Sequence, residues 1–485
     1  EPTKCKSLSI CSGSSREIIF KLSNMNIDSI AKSPEKFLGS KITFKGKSSD
    51  AYEFVRSGII ENLDNIDSSL ISNEHKLEVY TRYLQPAIRF KLTVHEISMS
   101  DLKSLDSCCD QYLKKWLTIP KCGTPAFLHS KEGLGIKSIQ HIYKECHAIA
   151  HATSRFKADE KVNNALSEKI EYESKWSHKG SIACYSENKY QEAVEKIACS
   201  NTPPKNTLNA IKTKVKLSIS EEIQRLWNNH IQKLVVQGEF LKVLQLEEDS
   251  ITWRSIMFSL PRNILQFAVN SSIDTLATNT NLKRWGKRTS ASCSLCGSKE
   301  TLLHVLNNCS KMLDRYSWRH NSVLNVLINL IKPILPPTYK LSADIPGQMQ
   351  GNSTIPHEVL ITKLKPDIVV IDRTNADIVI IELTLPFECN IKDAHERKSE
   401  KYADLVNELK EKGFNAKLFC IEIGSRGYIS KENVKCLKCM FHHFKSNLGV
   451  QSIRTSLCKT AIVGSFIVYY SKYDPNWTDP SFVRF

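Results

Sequence analysis

Four potential metal ligands within one short segment constrain the fold of this chain most strongly. Cys293, Cys296, His304 and Cys309 follow the spacing C-x2-C-x7-H-x4-C. Tetrahedral zinc takes thiolate and imidazole ligands, and a C-x2-C pair followed by His and Cys about one helical turn apart can supply all four. Chance clustering is the alternative, because the chain contains 16 cysteines. Most of these are scattered singly and no signal peptide is visible, which is typical of a reducing compartment. We therefore predict a structural zinc knuckle.

A second C-x2-C pair, Cys436 and Cys439, precedes His442 and His443. Apolar residues around it recur at helical spacing, and no further ligand follows at a usual distance. We interpret these cysteines as buried structural residues, with a second metal site as the alternative.

The charge balance favours a polyanionic partner. The formal net charge is +16, and nucleic acid is the usual partner of such a basic chain. Basic residues flank the predicted knuckle, and we predict that they bind nucleic acid: Lys283, Arg284, Lys287, Arg288 and Arg315. No apolar run approaches ~18 residues, so we expect no membrane-spanning helix.

Periodicity divides the chain into a mainly helical part and a later part with strands. Helical spacing is visible in Lys76–Leu92, where Pro86 should kink or split the helix, in Ser100–Trp116 and in Glu221–Leu246. Residues rich in Pro and Gly at Lys340–Pro356 indicate an exposed loop. Beyond it, Ile368–Asp372 and Ile378–Thr384 predict a β-hairpin. A helix, Asp393–Lys412, with Asp393 as N-cap and Gly413 beyond its end, and a strand, Ala416–Ile423, should follow.

Two carboxylates fall at the predicted edge of that hairpin. Asp367 opens its first strand and Glu382 lies near the end of its second. Adjacent antiparallel strands can bring both to one edge, where two like charges repel unless a divalent cation lies between them. We therefore interpret the pair as a Mg²⁺ site, although ordinary polar residues at strand ends are the alternative.

A cation near such a site would stabilise an attacked phosphate. The usual E-x-K pattern would place lysine at position 384, which is Thr384. On the following helix, Lys398, Tyr402, Leu405 and Leu409 share one face. Lys398 is therefore predicted to lie near the hairpin edge, with Lys401 beside it as the second candidate.

These motifs together resemble one family. The knuckle, R-H-N (Arg319–Asn321), K-P-D…E and K-x-x-K-Y (Lys398–Tyr402) are similar, in type and order, to the C-terminal half of the polyprotein of non-LTR retrotransposons that carry a restriction-like endonuclease. Pro2–Ile10 and Phe37–Gly39 resemble the last palm motifs of its polymerase, and Leu260–Trp285 resembles its linker before the knuckle.

The resemblance implies a multidomain chain, mainly α in its first part and ending in an α/β endonuclease of the PD-(D/E)XK type. The expected divisions are a reverse transcriptase palm remnant (1–50), a helical thumb-like region (51–200), a helical linker (201–285), a CCHC zinc knuckle (286–312), the restriction-like endonuclease domain (313–450) and a C-terminal extension (451–485).

The resemblance also implies a function. A Mg²⁺-dependent endonuclease would nick double-stranded target DNA in the nucleus, and the knuckle would bind that DNA or the element's RNA. Arg319 and His320 would grip a phosphate or complete the site, or else pack a helix. The paired aspartates of the polymerase do not occur, since the chain has no Asp-Asp dipeptide. We therefore expect a fragment that does not polymerise.

Two alternatives stay open at this point. The chain could be a catalytically inactive nucleic-acid-binding remnant or a domesticated element. It could also be a stand-alone junction-resolving nuclease, which the long polymerase-like stretch before the knuckle disfavours.

Overall fold

The computed structural model describes residues 5–11, 14–30, 35–37, 40–42, 48–95, 97–156, 204–246, 250–349, 353–445 and 449–482. The chain divides into two compact units. The first contains 1–117, 128–130 and 135–229, and the second contains 118–127, 131–134 and 230–485. Part of the palm-like motifs (2–4, 38–39) and of the thumb-like region (157–200) lies outside the described residues.

The first unit begins with short strands and continues with helices. Its strands are Lys6–Ser7, Ser9–Cys11, Ser14–Arg16, Phe20–Leu22, Met25–Ser29, Glu35–Phe37 and Ser40–Ile42, and three of them form a sheet in which Met25–Ser29 is central. The helices that follow are Ser48–Ser68, Asn73–Val79, Gln85–Val94, Met99–Trp116 and Ile139–Phe156. The predicted helix Ser100–Trp116 is thereby confirmed.

Pro86 splits its helix, as predicted. A π-helical turn, Tyr80–Leu84, separates Asn73–Val79 from Gln85–Val94, and Pro86 lies in the first turn of the latter. Proline has no N–H to donate, and its ring clashes with the carbonyl one turn earlier. The π-helical turn leaves room for the proline ring and for the missing hydrogen bond. Tyr80, Leu84 and Ile88 still lie on the buried side of the helix.

The prediction of one continuous helix over Glu221–Leu246 is wrong. One helix ends at Lys233, and a separate helix, Glu239–Gln245, begins after a turn. At Gly238 an added Cβ would lie 2.7 Å from the carbonyl oxygen of Ile231. The backbone folds back on itself there, which a continuous helix does not allow.

The second unit contains the helices Ser250–Phe258, Arg262–Ser272 and Asn279–Arg284 ahead of the predicted knuckle. After the knuckle come a helix, three strands, a helix, a strand and two helices. The elements are Leu313–Ile331 (the leading helix), Tyr339–Ala343, Ile368–Asp372, Asp377–Thr384, Ile391–Glu411 (the crossover helix), Asn415–Glu422, Lys431–His443 and Val450–Tyr470 (the last helix). Among the described residues, no helix has the length and apolar character needed to span a membrane.

Four of these strands form one mixed sheet. Asp377–Thr384 pairs antiparallel with Ile368–Asp372 and parallel with Asn415–Glu422, and Tyr339–Ala343 is an edge strand beside Ile368–Asp372. The hairpin and the third strand are thus confirmed. The parallel pair requires a crossover connection, which the crossover helix supplies.

The crossover helix begins two residues earlier than predicted. Its N-cap is Asn390, so Asp393 lies in the first turn instead of capping it. Gly413 adopts φ +87° just beyond the end, as a C-terminal glycine does. The helix packs Tyr402, Leu405 and Leu409 onto one face of the sheet.

The reading of Lys340–Pro356 as an exposed loop is wrong. Tyr339–Ala343 within it is the edge strand, and Thr354 and Ile355 are fully buried. Ile355 belongs to the same apolar cluster as the crossover helix, together with Val359 and Leu360. The prolines and glycines of this segment therefore flank an edge strand and a buried stretch, and both of these belong to the core of the sheet.

The leading and last helices pack closely against each other. Arg319 is 2 % exposed, and its guanidinium donates to Ser465 Oγ at 2.9 Å. Gly464 lies against the stem of Arg319, and an added Cβ would be 2.6 Å from Arg319 Cγ. The glycine therefore provides the space in which a long cationic side chain is buried between two helices.

This contact predicts the sign of one substitution. In an exposed helix interior, Gly→Ala stabilises by about 1 kcal/mol. Gly464→Ala should instead destabilise by about 1–3 kcal/mol, because it overpacks a filled interface. Chemical denaturation measures this, with Gln451→Ala on the exposed start of the same helix as a control. Stabilisation by Gly464→Ala would show that the two helices pack less closely than described.

Candidate metal centre and active site

The predicted knuckle is formed by a tight turn followed by a short helical segment. The Gly297 N–H donates to the Cys293 carbonyl at 2.8 Å, and the Cys293 N–H donates to the Ser298 carbonyl at 2.7 Å. Gly297 adopts φ +79°, which a side chain would disfavour. The turn brings both cysteines of the C-x2-C pair to one side, and His304 begins a π-helical turn, His304–Asn308, that leads to Cys309.

The four side chains converge as the spacing predicted. The ligand atoms of Cys293, Cys296, His304 and Cys309 all lie within 4.8 Å of one another. Cys296 Sγ is 3.3 Å from His304 Nε2 and 3.8 Å from Cys309 Sγ. Tetrahedral zinc with bonds of about 2.0–2.3 Å separates its ligand atoms by similar distances. This Cys3His cluster can therefore hold a metal such as zinc.

The surroundings affect the cluster's thiols differently. A hydrogen bond from the Ser298 backbone N–H lowers the pKa of Cys296. Burial raises the pKa of Cys309 to about 12. Binding of zinc requires thiolates, so it must release protons and becomes weaker as the pH falls.

Tyr316 anchors the knuckle to the leading helix. Its hydroxyl accepts from the Cys309 N–H at 3.0 Å and donates to the Val305 carbonyl at 2.9 Å. The orientation of the ligand-bearing turn therefore depends on a residue that sequence spacing did not indicate.

The two predicted carboxylates lie side by side at the sheet edge. The Asp367 N–H donates to Glu382 Oε2 at 3.2 Å, and the Leu383 N–H donates to Asp367 Oδ2 at 2.7 Å. Glu382 is 2 % exposed, whereas Asp367 is partly open to solvent. Burial and the charge of Asp367 together raise the pKa of Glu382.

Two cationic groups approach these carboxylates. Lys398 Nζ donates to Glu382 Oε1, and Lys401 Nζ instead contacts Tyr402 Oη at 3.0 Å. Of the two candidate lysines, the structure thus places only Lys398 on a carboxylate. Tyr402 Oη donates to the Lys365 carbonyl and so ties the helix to the segment before Asp367.

His320 completes the cluster. Its Nε2 lies 3.3 Å from Asp367 Oδ2 and 3.1 Å from the Leu383 carbonyl oxygen. Burial lowers the pKa of His320, but the hydrogen bond and charge of Asp367 outweigh that effect and raise it to about 9. Nε2 is then protonated at neutral pH and donates to Asp367. The structure places His320 beside the carboxylates, and its functional role stays a prediction.

Arg315 and Arg319 do not fit the prediction that they bind nucleic acid. Both are buried. Arg315 donates to the Ser471 and Asp474 carbonyls and stacks on Trp477, with 4.9 Å to the ring centroid. Arg319 is buried between helices as described above. These arginines pack the leading helix, which was the alternative for Arg319, so they present no charge to a phosphate.

The basic residues before the knuckle are placed differently. Lys283, Arg284, Lys287 and Arg288 are all exposed. Arg284 and Arg288 donate to the side-chain oxygens of Asn281 and Asn279, each at 2.8 Å. These hydrogen bonds orient two guanidinium groups beside the knuckle while leaving them accessible to solvent.

The second C-x2-C pair lies in the helix Lys431–His443, as its spacing predicted. Cys436 Sγ donates to the Cys420 carbonyl, and Cys439 is exposed. His443 pairs with Asp377 at 2.7 Å instead of turning toward the cysteines. The interpretation of both cysteines as buried residues is therefore wrong: Cys436 is partly exposed and keeps one structural contact, whereas Cys439 lies on the exposed face of the helix.

No protein-family model matches the sequence, and no curated protein matches it. The geometry of the described residues therefore carries the functional argument.

Zinc binding is directly testable. The purified chain should contain one Zn²⁺, and Cys293→Ser should lose it, because three ligands and a neutral hydroxyl hold the ion poorly. Elemental analysis measures the metal, and Cys439→Ser is the matched control that should keep it. A chain without zinc, or Cys293→Ser with unchanged content, would refute the site.

Proposed function

We propose that this chain is a metal-dependent DNA endonuclease of the PD-(D/E)XK type. The supporting observation is the cluster at the sheet edge, where Asp367 and Glu382 lie side by side with Lys398 on one and His320 on the other. Phosphodiester hydrolysis requires charge stabilisation at a phosphate and an activated water. This arrangement of hard oxygen ligands and a cation fits both needs.

The carboxylates suit Mg²⁺. The ion prefers oxygen ligands and usually takes one or two carboxylates together with water and substrate oxygens. When bound, it supplies Lewis-acid polarisation of the phosphate and lowers the pKa of a coordinated water. Asp367 and Glu382 would hold it. Asp367 is oriented by the Leu383 N–H and by His320.

Lys398 has two roles in this proposal. In the absence of the ion, its ammonium offsets the charge of the buried Glu382. With substrate present, the same ammonium would stabilise the developing negative charge on the phosphate. His320 holds the Asp367 carboxylate at the strand end through its Nε2.

The chain's relation to non-LTR retrotransposons belongs to the same proposal. The mixed four-stranded sheet with its crossover helix supports a restriction-like endonuclease. The Cys3His cluster beside exposed basic residues supports binding of target DNA or element RNA. In such elements the nick leaves a 3′-hydroxyl that primes reverse transcription. The site of action would be the nucleus.

A binding protein without catalysis is the second candidate. The knuckle with Lys283, Arg284, Lys287 and Arg288 would serve that role alone. A nicking assay separates the two, because only the endonuclease depends on Asp367 and Glu382.

Asp367→Ala and Glu382→Ala should abolish Mg²⁺-dependent nicking of plasmid DNA. Removing one carboxylate leaves the ion with too little protein charge, and losing a transition-state stabiliser typically costs on the order of 10²–10³ in rate. Circular dichroism should show an intact fold, because removal of one of two like charges relieves repulsion. If Asp367→Ala nicks DNA at the unmodified rate, the proposed active site is wrong and the chain is better described as a binding protein without catalysis.

The lysines provide a matched pair on one helix. Lys398→Ala should lower the nicking rate at least about tenfold while the chain still binds metal, since lysine contributes charge and no coordination. Lys401→Ala should nick like the unmodified chain, because its ammonium lies on Tyr402. Rates measured at saturating Mg²⁺ test this, and equal rates for both variants would contradict the assignment.

Binding of duplex DNA should weaken steeply with salt. Phosphate contacts by Lys and Arg release counterions, so replacing Lys287 and Arg288 with Ala should reduce affinity and lower the salt slope by about two. Fluorescence anisotropy between ~50 and ~200 mM salt measures both. Affinity that hardly changes over this range would show that the basic surface is not the docking face.

A further inference from the structure

A cavity of about 500 Å³ opens beside the proposed active site. Its volume is in the range of small-molecule sites. Its walls come from the start of the crossover helix, the end of the strand Asn415–Glu422, the helix Lys431–His443 and the helix Glu239–Gln245. The lining is mostly apolar and includes Val243, Ile391, Tyr428 and the thiols of Cys389, Cys420 and Cys436.

A buried carboxylate lines this cavity. The side chain of Glu422 is 0 % exposed, and its Oε2 lies 3.0 Å from His395 Nδ1. Its Oε1 has no hydrogen-bond partner among the described residues. A buried carboxylate oxygen without a donor is costly. An N–H donor from a ligand would satisfy it.

The cavity and the proposed active site share one face of the sheet. Glu382 is paired with Cys420, and Thr384 is paired with Glu422. Side chains two residues apart on a strand point to the same face, about 7 Å apart. The crossover helix confirms this arrangement, because His395 contacts Glu422 and Lys398, three residues later, contacts Glu382.

The mouth of the cavity carries groups of both charges. Lys392 lines it with its side chain 86 % exposed and its Nζ 3.8 Å from Glu396 Oε1, and Glu432 lines it as well. His395 is also largely exposed on this side. A ligand would therefore combine a flat apolar body, an N–H donor for Glu422 Oε1 and a negative group near Lys392.

We propose that this cavity binds an unstacked nucleobase with an exocyclic amino group, from the nucleotide next to the phosphate that is cut. The amino group donates to Glu422 Oε1, the ring lies against Tyr428 and the apolar wall, and Lys392 contacts the phosphate. Thymine and uracil fit poorly, because their N3–H is flanked by two carbonyl oxygens that the carboxylate repels. The location next to the cut rests on the proposed endonuclease function, whereas base binding does not.

Binding of free nucleotides tests the cavity without any nicking. The probes are dCMP and dUMP, which differ in the group on C4, amino or carbonyl, and in the proton that uracil carries on N3. Calorimetry with the full chain should show dCMP binding at least about tenfold more tightly, as expected for one hydrogen bond to a charged acceptor. Glu422→Gln should lose this preference, because an amide can also donate to the uracil carbonyl. Glu400→Gln, which removes an exposed carboxylate from the crossover helix, should keep it.

Equal affinity for dCMP and dUMP in the unmodified chain, binding of neither, or a preference that survives in Glu422→Gln would overturn the proposal. Sequencing of nicks made in random duplex DNA then tests the location. An amino-bearing base should be enriched beside the nick and the bias should be lost in Glu422→Gln. A bias unchanged in Glu422→Gln would contradict the location. Preferential dCMP binding by a chain that never nicks would refute the endonuclease and leave the base site standing.

Discussion

The repulsion between Asp367 and Glu382 is the constraint on which the proposed active site depends. The strand pairing ends at Ile368 and Ile381, and the next residue on each strand is then held beside the other by the hydrogen bond from the Asp367 N–H to Glu382, which is almost completely buried. Two carboxylates in such a position cannot both stay ionised without compensation. Lys398 and His320 supply two positive charges from two different helices. A chain that needed only a stable sheet edge could use apolar residues here at lower electrostatic cost.

The rest of the second unit holds these charges in place. The crossover helix packs Tyr402, Leu405 and Leu409 on the sheet, and this packing determines the position of Lys398. The leading helix carries His320 and so determines its position. This helix is itself held by Arg315 and Arg319, which are buried against the last helix and the segment after it. The knuckle is tied to the same helix through Tyr316. Metal ligation would thereby stabilise an element that carries part of the proposed active site.

Local sequence signals predicted much of this arrangement. The hairpin, the strand after the crossover helix, the Cys3His cluster and the face of Lys398 all follow from short-range periodicity or spacing. Glu422 carried no such signal. It reads as an ordinary polar strand end, and only the packing of the helix Lys431–His443 beside it shows that it is buried at a cavity.

The errors have a common physical cause. Arg315 and Arg319 lie beside a basic, metal-ligating segment, so the sequence favours contact with nucleic acid. Their burial depends on Ser465, Ser471 and Asp474, about 150 residues away in the sequence. The edge strand Tyr339–Ala343 follows two prolines and precedes a glycine. These neighbours predict a loop more strongly than the alternation of apolar and polar residues over five positions predicts a strand. Tertiary partners decide such cases, and no local pattern contains them.

The most direct test of the central claim is to locate a divalent ion. Mn²⁺ is the suitable probe, because it takes the same oxygen ligands as Mg²⁺ and gives an anomalous X-ray signal. In crystals soaked with Mn²⁺, the account predicts an anomalous peak bridging the carboxylates of Asp367 and Glu382, with Lys398 displaced from Glu382. Crystals of Glu382→Gln should lack that peak. If Mn²⁺ at saturating concentration leaves the two carboxylates without a peak and Lys398 still paired to Glu382, the cluster is a structural ion pair and the proposed catalytic site is wrong.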